Sequence, residues 1–371
     1  MTAPKDRIIF HVDMDSFYAS CELARQPEFK DKPFVVGADP KKGQGRGVVL
    51  ACNYAARKFG IRSGLPISRA WELCPEAKYV NPDHGLYGEV SERVMSLIRG
   101  FSGRVEQISI DEAYLDVTEE VTKEVAKGQS RDDVIRNLVE SIKSSVRQLE
   151  SITCSVGVAN SKIVAKIATD LNKPDGMTKV KPFDVRAFLA PLPVGKIPGV
   201  GRVTQKTLLD MFRVVKIGDL DSVPFEDLKE KFGRSAIWLK NVAQGIDESE
   251  VTPHWEPVSQ SGETTFEEDE GDYSKVESVM LEVAKEVHSR TAREGYLFRN
   301  VGIKVRFSGF ETHTRSRMLG APSGSLDAII RECVRLLSEF SGSGKKVRLI
   351  GVRLSDLEKL SGNQLTLFEW T

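Results

Sequence analysis

The chain has 371 residues, too long for one ordinary hydrophobic core, so roughly two to four domains are expected. Lysine plus arginine and aspartate plus glutamate both number 53, so a nucleic-acid partner would require segregated rather than excess basic residues. Five scattered cysteines without a CxxC pair, and no apolar segment of membrane-spanning length, argue against a disulfide framework, a thiolate zinc site and a membrane protein, so we expect a cytoplasmic protein.

The first predicted element is a buried strand at 8–10, followed by an acidic turn and a helix from Phe17. Asp13 and Asp15 stand where this strand ends and a helix begins, a common place for metal-dependent chemistry in α/β proteins. For Asp15 and Ser16 we keep the simpler interpretation that they only cap the helix.

Two β-rich runs at 33–37 and 47–52 flank a basic, glycine-rich loop, and a short helix follows at 53–60. Tyr54 and Arg57 are three positions apart on that helix and share a face. An arginine beside a tyrosine hydroxyl can clamp a triphosphate, because guanidinium binds phosphate oxygens bidentately. On local sequence alone, a surface arginine lying over an aromatic ring is an equally good interpretation.

The run at 103–116, GRVEQISIDEAYLD, carries the adjacent acids Asp111 and Glu112 in a strand-like alternation. Neighbouring side chains on a regular strand point to opposite faces, so the two converge only if the strand bends between them. A pair of hard cations such as Mg²⁺ would account for the bend. An isolated Asp-Glu pair is more often a turn cap beside a solvent-facing acid. With Asp13 as a third ligand, we expect both carboxylates within metal-bridging reach of Asp13.

Helical spacing predicts helices at 85–101 and 132–149, then a strand at 152–158 and a helix carrying Lys162 and Lys166. The order strand, helix, acidic hairpin, helix, strand, helix is typical of an α+β sheet with helices on one face. Ferredoxin-like folds have this arrangement.

The sequence pattern changes after Pro174. Further along, IPGVG at 197–201 precedes the helical pattern RVTQKTLLDMF. This is the form of a helix-hairpin-helix, in which Gly199 and Gly201 let backbone N–H groups approach a phosphate at the positive end of the next helix. It implies sequence-independent contact with a nucleic-acid backbone. A plain αα-hairpin is the alternative.

Residues 246–258 are polar, contain two prolines and lack periodicity, which predicts an extended interdomain linker. Beyond it, the strand-like stretches 299–317 and 345–353 are basic, and their alternation predicts an apolar side on helices and a basic side facing outward. Such a face reads a duplex backbone or is merely solvated, and two basic strands in one small domain favour the first. The candidate DNA contacts are Lys304, Arg306, Arg315, Arg317, Lys346 and Arg348.

The final stretch 361–371, SGNQLTLFEWT, places hydrophobic side chains on a terminus too short to bury them. Such a peptide typically docks into a partner's groove. The alternative is that it folds back on the chain.

Five motifs resemble, in order and spacing, those of the Y family of translesion DNA polymerases, in its DinB (DNA polymerase IV or kappa-like) branch. They are DMDSFY at 13–18, ACNYAARKFG at 51–60, SIDEAYLD at 109–116, KPDG at 173–176 and PGVG at 198–201. The resemblance covers essentially the whole chain and implies a multidomain α+β right-hand polymerase that performs low-fidelity, template-directed synthesis. Its implied parts are a ferredoxin-like palm at 1–18 and 83–173, small fingers at 19–82, a helical thumb with the helix-hairpin-helix at 174–245, the linker at 246–258, an α/β little finger at 259–355 and a tail at 356–371.

The family pattern also implies roles for individual acids. By that resemblance, Asp13, Asp111 and Glu112 hold two Mg²⁺ ions, and the backbone carbonyl of Met14 completes a site. Nucleotidyl transfer from a dNTP to the primer 3′-hydroxyl requires such a pair of ions.

The resemblance further implies how the substrate is held. Tyr54, Arg57 and Lys173 match family residues that bind the incoming triphosphate. Tyr18 matches the bulky residue that excludes a 2′-hydroxyl, so the substrate is expected to be a deoxynucleotide.

The tail resembles a sliding-clamp-binding peptide, with Gln364, Leu367, Phe368 and Trp370 as the contact residues. QLTLF looks like the bacterial clamp pentapeptide, and the spacing of Gln364, Leu367 and Trp370 also looks like part of the archaeal and eukaryotic motif. A β clamp and a PCNA-like clamp therefore both stay open as partners.

The expected partners are thus primer-template DNA, a dNTP and a sliding clamp, with the protein acting as a monomer. A non-catalytic DNA-binding or scaffold protein is a rival reading, favoured by loss of any of the three acids, all of which are present. A nuclease or nucleotidyl cyclase on a similar palm is another rival. It leaves the helix-hairpin-helix, the basic domain and the tail unexplained together.

Overall fold

The computed structural model describes residues 7–253 and 256–360, which belong to two compact units. Within these ranges, no helix has both the length and the apolar character needed to cross a membrane. The predicted clamp-binding residues Gln364, Leu367, Phe368 and Trp370 lie outside the described residues.

The first unit contains two sheets and a set of helices. Its elements in chain order are β1 (Ile9–Met14), α1 (Phe17–Arg25), β2 (Phe34–Gly37), β3 (Val49–Cys52), α2 (Tyr54–Arg57), α3 (Ile67–Leu73), β4 (Lys78–Val80), α4 (His84–Arg99), β5 (Val105–Gln107), β6 (Glu112–Asp116), α5 (Thr118–Ala126), α6 (Arg131–Glu150), β7 (Cys154–Ala159), α7 (Lys162–Thr169), β8 (Met177–Lys179), α8 (Val185–Leu189), α9 (Arg202–Phe212), α10 (Phe225–Phe232) and α11 (Ser235–Ala243).

The larger sheet has the strand order β5-β6-β1-β7-β8. Strand β1 is central and antiparallel to both β6 and β7, whereas β8 runs parallel to β7. The smaller sheet, of order β3-β2-β4, has its own core with α2 and α3. The acids at the end of β1 therefore lie in the middle of the larger sheet.

Helices cover both faces of the larger sheet. Phe10, Val12 and Met14 of β1 point into a core shared with α4 and α6. Ile9 belongs instead to a second core that includes α7 and the helices that follow it, and α7 packs against β1 and β7. The prediction of helices on one face was wrong, because β1 and β7 carry apolar side chains on both sides and each side must be buried.

The acidic run at 103–116 forms a hairpin and not one bent strand. Strands β5 and β6 pair antiparallel, and the turn between them contains Asp111. The backbone N–H of Ile108 donates to the carbonyl of Glu112 at 3.1 Å, and the Glu112 N–H donates to the Ser109 hydroxyl at 3.1 Å. Asp111 therefore lies in the turn and Glu112 begins β6, whereas we expected both acids on one strand with a bend between them.

Helix α9 begins directly after the glycine turn at 197–201. Gly199 has a φ of +91°, which glycine adopts without strain, and the Val200 N–H donates to the carbonyl of Ile197 at 3.0 Å. The segment before the turn is a single short 3-10 turn, Val194–Lys196. The first arm of the predicted hairpin is therefore short.

The first part of the predicted linker is fastened to the first unit. The Thr252 N–H donates to the buried carboxylate of Glu106 at 2.9 Å, and Lys162 donates to the carbonyl of Glu250 at 3.1 Å. Val251, which lies between Glu250 and Thr252 in the sequence, is buried. This part of the segment is therefore held by hydrogen bonds and burial, while its role as an interdomain linker stays a prediction.

The second unit is an antiparallel sheet with two helices on one face. Its elements are β9 (Ser259–Glu270), α12 (Tyr273–Arg293), β10 (Tyr296–Phe307), β11 (Thr312–Ser323), α13 (Leu326–Ser341) and β12 (Val347–Lys359). The strand order is β11-β10-β12-β9, and the core lies between the sheet and α12 and α13. This is the α/β domain that the sequence predicts.

Candidate active site and nucleic-acid surface

The centre of the candidate site is a pair of carboxylates on adjacent strands. Asp13 of β1 lies directly opposite Glu112 of β6 in the strand register, so the two side chains share a face of the sheet. His11 is two positions before Asp13 and shares that face as well. Possible ligand atoms of His11, Asp13 and Glu112 all lie within 4.8 Å of one another.

His11 is buried and forms a hydrogen bond to Glu112. The ring is 1% exposed; its Nε2 lies 3.0 Å from Oε2 of Glu112 and its Nδ1 lies 2.9 Å from the hydroxyl of Thr169 on α7. Lys166, one turn earlier on α7, donates to the same carboxylate oxygen.

Proton placement in this group follows from the pKa directions. Burial lowers the pKa of His11, so the ring is neutral at pH 7. Burial would raise the pKa of Glu112, but the hydrogen bonds from His11 and Lys166 lower it to about 2. An ionised Glu112 must accept from Nε2–H, and Nδ1 then accepts from the Thr169 hydroxyl.

His11 was not predicted as a site residue. The signal was available, because a strand's period of two places residues 11 and 13 on one face. A buried polar ring on the face of a candidate metal ligand is a typical support for that ligand.

Asp13 is less well compensated than Glu112. Its Oδ2 lies 2.8 Å from the ammonium of Lys173, which also lies 3.1 Å from Asp170. Burial raises the pKa of Asp13 to about 6, and the attraction of Lys173 offsets this only in part. Burial lowers the pKa of Lys173, but Asp13 and Asp170 together raise it to about 12. The attraction is less complete for Asp13 because Lys173 forms ion pairs with two carboxylates, whereas Asp13 pairs with a single lysine.

Asp111 lies beside this group and not within it. Its carboxylate accepts from the Ser109 hydroxyl at 2.6 Å, and its backbone carbonyl accepts from the Met14 N–H at 2.9 Å. Its charge also contributes to the raised pKa of Asp13. Among the described residues, Glu112 has a ligand atom within 4.8 Å of Asp13, as expected, while the carboxylate of Asp111 is hydrogen-bonded to Ser109.

Asp15 does not cap the helix. Its carboxylate is 2% exposed and accepts from the hydroxyls of Thr153 at 2.7 Å and Ser155 at 2.8 Å, and from the N–H of Asp175 at 2.8 Å. The N-cap interpretation was therefore wrong for Asp15. Its carboxylate instead links β7, through Ser155, to the loop after Lys173, through the N–H of Asp175.

Ser16 occupies the N-cap position of α1 without forming a capping bond from its side chain. Its hydroxyl instead accepts from Arg57 at 3.0 Å, so the predicted N-cap position is correct for Ser16 but its side chain has a different partner. The Arg57 guanidinium lies 4.4 Å from the centre of the Tyr54 ring. Within the described residues, the Tyr54 hydroxyl is buried without a hydrogen-bond partner, and burial raises its pKa. An unpartnered hydroxyl beside a guanidinium is suited to a polar ligand.

Tyr18 of α1 lies close enough to Asp111 for the two groups to interact electrostatically. Burial raises its pKa, and the negative charge of Asp111 adds to the effect. Its ring stacks on that of Tyr87, with centroids 4.2 Å apart.

The second unit presents an open sheet face. Lys304 and Arg306 alternate with the buried Ile303 and Val305, so they face away from the helices, as the alternation predicts. A cavity of about 490 Å³ lies over this face of the sheet; its lining includes Ser261, Gly302, Lys304, Ser316, Gly351 and Arg353. Arg353 was not among the predicted contacts, although its position between Val352 and Leu354 would have placed it there.

Arg315 and Arg317 lie on the other face of that sheet. In the register they stand opposite Ile303 and Val301, whose side chains are buried against the helices. Both pair with carboxylates of α13, at 3.0 Å for Arg315 and 3.4 Å for Arg317. The prediction that they share one outward basic face with Lys304 was wrong, because β11 is a mostly exposed edge strand whose residue pattern does not mark the side that faces the helices.

Lys346 and Arg348 lie at the start of β12. Lys346 is exposed, whereas Arg348 is only partly exposed. The Arg348 guanidinium lies 4.5 Å from the centre of the exposed Phe310 ring and 3.8 Å from Asp269. Arg348 is therefore already engaged in contacts within its own unit.

Family models match three parts of the chain. Residues 12–170 match the impB/mucB/samB family, residues 182–212 match the HHH motif of the IMS family, and residues 257–367 match the C-terminal domain of the impB/mucB/samB family.

Relatives match over nearly the full length. The chain is 44% identical over 364 residues to a protein named DNA polymerase IV from Methanoculleus marisnigri, covering 98% of each chain. It is 41% identical over 370 residues to one named DNA polymerase IV 2 from Methanosarcina mazei, covering 98% of this chain and 96% of the relative.

Solved structures give the same fold. A Y-family DNA polymerase chimera of Dbh and Dpo4 matches with a TM-score of 0.85 and 29% identity, over 95% of this chain and 100% of that one. An insertion ternary complex of Dbh DNA polymerase matches with a TM-score of 0.66 and 29% identity, with the same coverage.

Proposed function

Because this chain belongs to the impB/mucB/samB family, as a DinB-type DNA polymerase of the Y family, we propose that it performs low-fidelity, template-directed translesion synthesis. The reaction is nucleotidyl transfer from a dNTP to the primer 3′-hydroxyl. The observation that carries the proposal is the pairing of Asp13 and Glu112 on the central strands, with Lys173 beside them. The role in DNA repair and mutagenesis, and a cytoplasmic location, belong to the same proposal.

We propose that Asp13, Asp111, Glu112 and the backbone carbonyl of Met14 hold two Mg²⁺ ions. The donor set fits, because carboxylate and carbonyl oxygens suit this hard cation and the ligand atoms of Asp13 and Glu112 lie within 4.8 Å of one another. When bound, the ions supply activation of the primer hydroxyl and stabilisation of charge on the transferred phosphate. The chain's own contribution is to hold the carboxylates charged and oriented, with His11 fixing Glu112.

The incoming triphosphate is proposed to lie between Arg57, Tyr54 and Lys173. The unpartnered Tyr54 hydroxyl and the adjacent guanidinium support this, since both can donate to phosphate oxygens. Asp15 sets the loop after Lys173 through the Asp175 N–H. Tyr18 is proposed to exclude the 2′-hydroxyl of a ribonucleotide.

Duplex DNA is proposed to contact two surfaces through its phosphates. One is the turn with Gly199 and Gly201 before α9, supported by the left-handed φ of Gly199. The other is the open sheet face, where Lys304 and Arg353 line the cavity and Arg306 follows Lys304 on the same side of β10. Binding at both surfaces should not depend on the DNA sequence, because contacts to phosphates carry no base information.

We further propose that the tail recruits a sliding clamp and that the protein otherwise acts as a monomer. The sequence QLTLFEW supports recruitment. Deleting residues 364–371 should abolish stimulation of synthesis by a clamp while sparing synthesis without it. Equal loss of both would contradict recruitment through the tail.

The polymerase proposal is tested by primer extension with Mg²⁺ and single dNTPs on a primer-template duplex. Wild type should extend the primer, and Asp111→Ala and Asp13→Ala should not. Asp227→Ala, which removes an exposed acid on α10, is the matched control and should extend normally. Absent extension by wild type, or full extension by Asp111→Ala, would overturn the assignment.

A further inference from the structure

Tyr18 is backed by a second aromatic ring. Tyr87 of α4 stacks on it with ring centroids 4.2 Å apart and planes inclined by 12°. Tyr18 is half-buried, whereas Tyr87 is fully buried at 0% exposure. One face of the Tyr18 ring is therefore covered by a side chain that cannot move into solvent.

Tyr87 is itself pinned in place. Its hydroxyl donates to Glu22 at 2.7 Å, and Glu22 is 7% exposed. Glu22 follows Tyr18 by one turn of α1, so the same helix carries the half-buried ring and the anchor of the ring behind it. Burial, together with Glu22, raises the pKa of Tyr87, so its hydroxyl stays a donor.

A third ring closes the edge of the stack. The His84 ring lies 6.0 Å from each tyrosine, nearly perpendicular to both, at 86° to Tyr18 and 83° to Tyr87. Edge-to-face and offset-stacked arrangements are the favourable geometries for such rings. The Tyr18 ring therefore has little room to shift toward α4.

We propose that Tyr87 is a positioning residue for sugar selection, which keeps the Tyr18 ring from yielding to a ribose 2′-hydroxyl. The inference rests on the proposed role of Tyr18. A steric barrier discriminates only if it cannot retreat, and close-packed interiors resist small displacements. The sequence gives Tyr87 no role beyond a buried helix position, so the stack supplies the assignment.

The test compares kcat/KM for a dNTP with that for the matching rNTP in single-nucleotide insertion. Tyr87→Leu removes the flat ring, and the ratio should fall by about tenfold, the equivalent of one aromatic contact. The change should come from faster rNTP insertion, with dNTP insertion affected less. Tyr87→Phe keeps the ring and should keep the ratio near that of wild type.

A matched control separates sugar selection from stability. Ile98→Ala removes a fully buried side chain from the same helix and the same core, away from Tyr18, and should leave the ratio unchanged. If Tyr87→Leu is too unstable to assay, Tyr87→Met fills more of the volume with a flexible chain and carries the same expectation. An unchanged ratio in the folded variant would overturn the inference.

Tyr18→Ala distinguishes this inference from the proposal on which it rests. If that variant keeps the wild-type ratio, the role of Tyr18 fails. If it relaxes selection while Tyr87→Leu does not, only the role of Tyr87 fails. Where both hold, adding Tyr87→Leu to Tyr18→Ala should change the ratio no further, because Tyr87 acts through Tyr18.

Discussion

Replacing His11 with phenylalanine should weaken metal binding without unfolding the protein. Phenylalanine has a similar volume, and the histidine ring is neutral because burial lowers its pKa, so no charge is lost. The Thr169 hydroxyl keeps a partner, since it lies 2.9 Å from the carbonyl of Ala165. Because Glu112 loses one hydrogen bond to its partly buried carboxylate, the free energy of unfolding should fall by about 1.5 to 3 kcal/mol, which leaves the protein folded.

The loss falls on Glu112. Its carboxylate has two donors, His11 and Lys166, and the variant removes the first. A hydrogen bond to a charged group contributes about 1.5 to 3 kcal/mol, which corresponds to roughly tenfold to hundredfold in an equilibrium constant. The same range, about 10 to 100-fold, is typical when a residue that orients a metal ligand is removed.

The measurement is Mn²⁺ binding to the DNA-free protein by isothermal titration calorimetry, paired with the Mg²⁺ dependence of primer extension. His11→Gln places an amide donor near the position of Nε2 and should recover most of the affinity. Wild-type metal affinity in His11→Phe, or no advantage of glutamine over phenylalanine, would refute the reasoning.

Three further outcomes are expected. Asp15→Asn should raise the KM for dNTP more than it lowers kcat, because the loop after Lys173 loses part of its anchor, and chemical denaturation should show a loss of about 1 to 3 kcal/mol. In metal-free protein, the pKa of Asp13 is raised from 3.8 to about 6, so the stability contribution of its neutral form is present below 3.8 and is lost as pH rises through 6. Asp13→Asn should flatten that decline in thermal melts between pH 4 and 7, and an unchanged profile would contradict the raised pKa. Lys304→Gln should reduce the salt dependence of DNA binding by about one counterion in fluorescence anisotropy. Arg315→Gln, on the helix side, should not, and equal effects would argue against the face assignment.

Local pattern predicted the parts of the site that one segment determines. The acid at the end of β1, the pairing of Tyr54 with Arg57 and the outward direction of Lys304 all follow from spacing within a single element. The period of a helix or strand fixes which side chains share a face, and that information is present in the sequence.

Relations between segments were not predictable in the same way. The proximity of Asp13 and Glu112 was expected only from a shared role as metal ligands, whereas their direct pairing and the position of Arg317 opposite Val301 depend on strand register. Register is set by burial and turn geometry across the sheet, and a shift by one residue would reverse every side chain. The acidic hairpin was expected, but its turn was not placed at Asp111, because Ile108 and Ile110 continue the apolar alternation through the turn.

The site also draws its residues from distant parts of the chain. His11 and Glu112 are separated by 101 positions, and His11 and Thr169 by 158. Closing such long loops precedes any gain from the contacts they permit, and a chain emerging during synthesis cannot form them until α7 is available. A fragment that ends before α7 would contain every acidic ligand and still lack Thr169, Lys166 and Lys173. The nascent chain is therefore expected to be inactive until α7 and Lys173 have joined the first sheet.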